Sequence, residues 1–410
     1  MRAFMAARTR EHRTRHRLVA GMALVGAWTL CLVGLAPAAG AEDIQAQEWH
    51  LKAMQAEKMW KVSTGKGIKV AVVDTGVDSS TRSLRGQVLP GKDVSGAPGD
   101  ETRDDIGHGT TMAELIAGSG DGGSLKGLAP DAKIIPIRAK IEGMRNARRY
   151  ATEGDAIRAA ADSDAQIINM SFGGPPSSTT KQAVAYAVKK GKLLLGSNGN
   201  DAQKGNLENY PAGYPDVVGV AATNKAAEVA DFSNSSQHTI LAGPGVGIPG
   251  WCDGDKQKYC ISEGTSVATA IASASAALIW SHHPDWTANQ VIRVMIKTAG
   301  LKSDKPSKYL GFGEVRPRMN LLEGKGDPGD PDISPLTGER TLHTKEKEPE
   351  SDSEESGKND SNKKTAPGKV KVADSKSASS ESKWFPAVGI AAGAAILAGC
   401  AFAAVRLRRN

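Results

Sequence analysis

Basic charge is missing from the middle of this sequence, although the 410 residues carry 52 Lys+Arg against 45 Asp+Glu, a net +7. Six arginines and Glu11 give residues 1–17 a charge of +5, and Arg406, Arg408 and Arg409 add +3 at the other end. The 388 residues between those flanks therefore stand at −1. No basic stripe runs along a folded face, so nucleic acid is excluded as a partner. Cysteine is also scarce. Of the four, Cys31 and Cys400 lie in apolar runs at the two ends, leaving Cys252 and Cys260 eight positions apart. Two thiols with no nearby histidine do not make a metal site, and no cofactor is implied; in an oxidising compartment these two are expected to pair. The remaining composition, 40% hydrophobic and 24% charged, leaves room for a large core.

Both ends read as targeting segments. The basic stretch 1–17 precedes an apolar run from Leu18 to Leu35, and Ala36-Pro37-Ala38-Ala39-Gly40-Ala41 supplies small residues for cleavage after Ala41. Residues 1–41 are thus expected to be a secretory signal peptide. Trp28-Thr29-Leu30 before Cys31 lacks the small residues of a lipoprotein signal. Residues 384–405, from Trp384 through an uncharged run that starts at Phe385, predict one transmembrane helix. The arginines of 406–410 put that tail in the cytoplasm and the rest of the chain outside the plasma membrane. No L-P-x-T-G precedes this helix, so covalent attachment to a cell wall is not indicated. Residues 324–383 have hardly any aliphatics and are expected to form a disordered stalk, because too little apolar area is present to offset ordering entropy.

Between these ends, apolar runs alternate with helical patterns. Ile68 to Val73, Ile134 to Ile137, Gln166 to Met170, Lys192 to Leu195 and Val217 to Val220 are continuous rather than alternating, as in strands buried on both faces. Helical patterns occupy Thr110 to Ala117, Thr152 to Ala161, Thr180 to Lys190, Thr265 to Trp280 and Thr287 to Thr298. The alternation predicts an α/β domain over 68–323 with a doubly wound parallel sheet. Functional residues then belong at the carboxyl ends of its strands.

Three such junctions carry chemistry. Val70 to Val73 runs into Asp74-Thr75-Gly76; Gly107-His108-Gly109-Thr110 opens one helix, and Gly264-Thr265-Ser266 opens another. A serine hydroxyl needs a base to take its proton, and an imidazole needs a carboxylate to hold one tautomer. Asp74, His108 and Ser266 supply these three roles in that order. The turn Gly196-Ser197-Asn198-Gly199-Asn200 after a strand offers a side-chain amide which, with the Ser266 backbone N–H, could hold an oxyanion. An aspartic protease is excluded because no second D-[TS]-G occurs.

With those motifs in place the chain resembles the subtilisin-like serine proteases. V-V-D-T-G at 72–76, G-H-G-T at 107–110, N-M-S-F-G-G at 169–174, G-N at 199–200 and G-T-S-V-A-T at 264–269 match that family in order. The resemblance implies that Asn200 is the oxyanion residue. It also implies that Ser171, Phe172, Gly173 and Gly174 pair with substrate backbone, and that with Ser197, Asn198 and Gly199 they wall the first specificity pocket. The chain departs from the family at Ala270, where proline is usual, at Asn198, where a small apolar residue is usual, and at Arg316, where aspartate is usual. The N-terminal extension 42–67 is too short for a folding prodomain and, with the order of segments, is similar to that of mycosins, the membrane-anchored proteases of type VII secretion. A protein or peptide substrate and a type VII membrane complex are the partners this implies. The same topology would also serve a membrane-tethered scaffold whose proteolysis is dispensable.

Overall fold

A computed structural model of the protein describes residues 44–139, 153–301 and 305–341. The strands of the main sheet are β1 (Lys69–Asp74), β2 (Lys92–Asp93), β3 (Lys133–Arg138), β4 (Ile167–Met170), β5 (Leu193–Ser197), β6 (Val218–Thr223) and β7 (Thr239–Pro244). They lie in the order β2-β3-β1-β4-β5-β6-β7, and every neighbouring pair is parallel. Beyond the five strands that the apolar runs predict, the sheet gains β7 and the two-residue β2 at its edges. An antiparallel hairpin follows, β8 (Ile248–Trp251) with β9 (Tyr259–Ser262). Its two strands are joined by the Cys252–Cys260 disulfide.

The helices are α1 (Trp49–Ala53), α2 (Ala56–Met59), α3 (His108–Ala117), α4 (Glu153–Ala161), α5 (Ser178–Lys189), α6 (Thr265–His282), α7 (Ala288–Lys297) and α8 (Pro317–Leu321). Successive strand residues point to opposite faces. In β1, Val70 and Val72 join a core layer that contains Met112 and Leu115 of α3, Ile271 of α6 and Val291 of α7. Ala71 and Val73 join the opposite layer, with Ile157 of α4 and Val184 of α5. Helices therefore cover both faces of the sheet, which is why the central runs of its long strands are apolar on both sides. Helix α6 is buried along most of its length and is rich in Ala, Ser and Thr. Short side chains let it lie close to the sheet, and Thr269 and Ser275 return their hydroxyls to carbonyls of their own helix, Thr265 O and Ile271 O.

The N-terminal extension is integral to this body. Gln45 Nε2 donates to Gly120 O and Ser124 O, Trp49 Nε1 to Val246 O and Gly247 O, and Trp60 Nε1 to Leu128 O. At the other end, the expectation of disorder from 324 onward is corrected as far as 341. There the backbone is captured by one face of α7: Arg293 donates to the carbonyls of Pro328, Asp330 and Ile333, Gln290 to Gly329 O, and Thr287 and Asn289 to Pro331 O. Hydrogen bonds from polar side chains order a segment whose composition offers almost nothing to bury. The expected signal peptide, the rest of the stalk, the transmembrane helix at 384–405 and the tail at 406–410 lie outside the described residues. Among the described residues, no helix is long and apolar enough to cross a membrane.

Candidate active site

Asp74 is the last residue of β1 and is wholly buried. Its Oδ1 lies 2.7 Å from His108 Nδ1 and accepts the Thr75 backbone N–H at 2.8 Å, while Oδ2 has no hydrogen-bond partner among the described residues. A carboxylate accepts only, so Nδ1 carries the proton and Nε2 is the free nitrogen of the neutral ring. The His108 side chain is 33% exposed, enough to reach the cleft. Burial opposes its positive form, but the charge and hydrogen bond of Asp74, together with the charge of Asp104, outweigh that and raise its pKa above the ordinary value.

His108 is placed by the way α3 begins. Gly107 has φ 87°, a left-handed turn that reverses the chain into the helix, and an added Cβ would lie 2.5 Å from Asp253 O. Asp104, absent from the sequence motifs, then satisfies the loop and the first turn. Its Oδ1 accepts from Ile106 N and Gly107 N, and its Oδ2 from Thr110 N and Thr110 Oγ1. The Thr75 hydroxyl donates to Asp104 Oδ1 at 2.8 Å and accepts from Gly109 N at 3.0 Å, so it locks β1 to α3. Arg138, at the end of β3 and fully buried, donates to Thr75 O and to the Asp93 carboxylate beside it. The only sequence signal for Asp104 was its position four residues before His108, where a helix N-terminus favours a short acid.

Ser266 is the second residue of α6. Its hydroxyl donates to Ser171 O at 3.0 Å rather than to His108, and Ser171 Oγ returns a bond to Ser266 O at 3.1 Å. Asn169, buried at the end of β4, continues this network. It donates to Ser171 Oγ and accepts from Ser273 Oγ of α6. These bonds tie the serine helix to the strand that carries the 171–174 segment.

Asn200 is oriented by the same helix. Its Oδ1 accepts from Thr265 N and Thr265 Oγ1, both at 2.9 Å. A backbone N–H can only donate, which fixes Oδ1 toward it and turns Nδ2 away. A Cβ built on Gly264 would lie 3.3 Å from Asn200 Nδ2 and 3.7 Å from Ser266 N. Two donors thus border the space that this glycine leaves open, at a backbone with φ 152°. The amide at the start of a helix also favours negative charge there.

The remaining predicted residues divide. Ser197 and Phe172 meet, with Ser197 Oγ donating to Phe172 O at 3.2 Å, and Gly199 N donates to Thr265 Oγ1 at 3.1 Å. Gly174 exchanges backbone hydrogen bonds with Tyr210 in both directions at 2.9 Å. The Phe172 side chain belongs to the core layer of α4 and α5. Asn198 does not present its side chain to the cleft: it is buried and donates to Thr239 Oγ1 of β7 at 2.8 Å. Of the other two departures, Ala270 is buried within α6, and Arg316 donates to Thr298 O and Ala299 O just past α7. Among the described residues no cluster of His, Cys, Asp or Glu suits a metal ion.

Residues 65–313, more than half of the chain, match the Subtilase family. The Major intracellular serine protease of Bacillus subtilis (strain 168) is 35% identical over 251 residues, covering 59% of this chain and 78% of that protein. Subtilisin E of the same strain is 34% identical over 255 residues, 62% of this chain and 65% of that one. Among solved structures, MycP1 from Mycobacterium smegmatis aligns with a TM-score of 0.59 and 25% identity, over 69% of this chain and 86% of its own. The MycP3 protease from the type VII (ESX-3) secretion system aligns with a TM-score of 0.57 and 26% identity, over 66% and 87%. On this sequence match and this parallel sheet, the chain belongs to the subtilase family of serine endopeptidases.

Proposed function

We propose that the protein is a membrane-anchored, extracytoplasmic endopeptidase that cleaves protein substrates at a type VII secretion system through Asp74, His108 and Ser266. The observation that carries the chemistry is that Asn200 Nδ2 and the Ser266 amide both border the position a Cβ on Gly264 would take, at the start of the helix that carries the Ser266 hydroxyl. A carbonyl oxygen that becomes negative needs such donors already in place. In the reaction the Ser266 hydroxyl turns from Ser171 O to His108 Nε2 and attacks the scissile carbonyl as its proton passes to the imidazole. Asp74, with the only proton of the neutral ring already held at Nδ1, stabilises the imidazolium that forms. The oxyanion rests on Asn200 and the Ser266 amide. His108 then protonates the departing amine, leaving an acyl-Ser266 that a water, activated by the same imidazole, hydrolyses. The secretion context is supported by the likeness to the MycP1 and MycP3 structures and by the order of segments in the chain.

A fluorophosphonate probe tests this directly on the full-length protein in detergent. Wild type is expected to be labelled at one site and Ser266→Ala to take up none. Labelling that persists in Ser266→Ala, or a folded wild type that takes up no probe, overturns the assignment.

A further inference from the structure

We infer that Asn209 closes the specificity pocket of this site and restricts it to small side chains, those of Gly, Ala and Ser, on the residue whose carbonyl is attacked. The inference rests on the endopeptidase reading above and concerns which substrates that site accepts. Strands β4 and β5 are neighbours, so the segments that leave their carboxyl ends, 171–174 and 197–199, run side by side. The first begins at Ser171, whose carbonyl touches the Ser266 hydroxyl, and the second leads into Asn200. The side chain of the residue being cleaved must therefore descend between them.

That gap is spanned by two polar side chains. Ser197 Oγ donates across it to Phe172 O at 3.2 Å, and Asn209 Nδ2 donates to Ser197 O at 3.1 Å. A Cβ built on Gly173 would stand 1.9 Å from Asn209 Nδ2 and 2.4 Å from its Oδ1, and one built on Gly199 would stand 3.3 Å from Nδ2. The carboxamide of Asn209 thus lies in the volume that the missing side chain of Gly173 leaves and borders that of Gly199, where Asn234 Nδ2 stands nearer, at 2.6 Å. It is held there by its own backbone: Gly213 N donates to Asn209 O at 2.8 Å, and the adjacent Tyr210 is paired with Gly174 in both directions. Since Ser197 O can only accept, Nδ2 faces it, and Oδ1 has no hydrogen-bond partner among the described residues. A short hydroxyl could use that acceptor. A branched or aromatic side chain would have to displace the carboxamide and break its bond to Ser197.

The test uses the full-length protein in detergent and a set of peptides that differ only in the residue before the scissile bond, Ala, Ser, Leu, Phe or Lys. Misfit by a single methylene changes kcat/KM by about 10–200-fold. Wild type is therefore expected to favour Ala and Ser over Phe by at least about tenfold. Asn209→Gly is expected to raise Phe relative to Ala by a similar factor, with Asn209→Ala in between. A wild type that prefers Leu, Phe or Lys overturns the inference, as does a folded Asn209→Gly that keeps the wild-type ranking. Thermal melts establish folding; if Asn209→Gly fails to fold, Asn209→Ala and the wild-type ranking decide. A wild type that cleaves none of the set and takes up no fluorophosphonate removes the endopeptidase reading itself.

Discussion

Asp104 governs His108 from a distance, through charge and through the turn it holds. Its two oxygens accept five hydrogen bonds, from Thr75, Ile106, Gly107 and twice from Thr110. Its negative charge is also one of the causes that raise the imidazole pKa. In the proposed role of general base His108 must be neutral, so activity is expected to fall as pH drops through that raised value. Asp104→Asn removes the charge, makes the imidazolium less favourable and should carry the acid limb of kcat/KM to lower pH. An asparagine can accept on one oxygen only, so at least two of the five bonds are lost, and hydrogen bonds to charged groups are worth about 1.5–3 kcal/mol each. The variant should accordingly be less stable by that order yet active further into the acid range. A pH–rate profile with an unmoved acid limb would show that Asp104 serves the turn alone.

At the scale of elements, α1 carries a liability that its sequence did not announce. His50 is fully buried and neither ring nitrogen has a hydrogen-bond partner among the described residues. Burial alone lowers its pKa from 6.5 to about 3. The unfolded chain thus binds a proton between those values while the folded chain does not, so stability falls as pH drops below 6.5. At pH 5, one and a half units below the unfolded value, the loss from this one group is about 2 kcal/mol. His50→Leu should flatten that dependence, measured as the difference between urea unfolding free energies at pH 7.5 and pH 5 in wild type and variant. Equal differences in the two proteins would mean that His50 is protonated or solvated in the fold. How much of the architecture was readable follows the same physics. Strands β1, β3, β4, β5 and β6 announce themselves because both faces are buried and the apolar runs are unbroken. The short edge strand β2 and the Gly- and Pro-containing β7 carry no such run, and hairpin β8–β9 is partly exposed. Asp74, His108, Ser266 and Asn200 stood out in the sequence because glycines mark the tight junctions that hold them. The direction of the Asn198 side chain, toward Thr239 of β7, is not something its place in the sequence gives. Asn209 and Asp104 went unseen because their roles arise from contacts across the fold, with Gly173 and Ser197 in one case and Thr75 in the other. Residues 324–341 were misjudged because composition counts apolar area, whereas Arg293 and its neighbours order them through carbonyl contacts.

For the whole molecule the decisive quantity is where its charge lies. The body between the flanks stands at −1, so an anionic lipid surface offers it no attraction. Retention at a membrane, if it occurs as proposed, must therefore come from burying the uncharged run 384–405, with Arg406, Arg408 and Arg409 fixing its direction. Salt separates these two origins, since the screening length shrinks to about 3 Å at 1 M and abolishes surface adhesion while leaving a hydrophobic span untouched. The full chain should stay with the membrane fraction through a 1 M salt wash and require detergent for release. A chain ending at 383 should be exported and appear in the soluble fraction with its fluorophosphonate reactivity intact, because every residue of the proposed site lies before 267. A reporter fused after Asn410 should be shielded from protease added outside intact cells, while the catalytic body is not. Release of the full chain by salt, or membrane retention of the chain that ends at 383, would place the anchor elsewhere in the sequence.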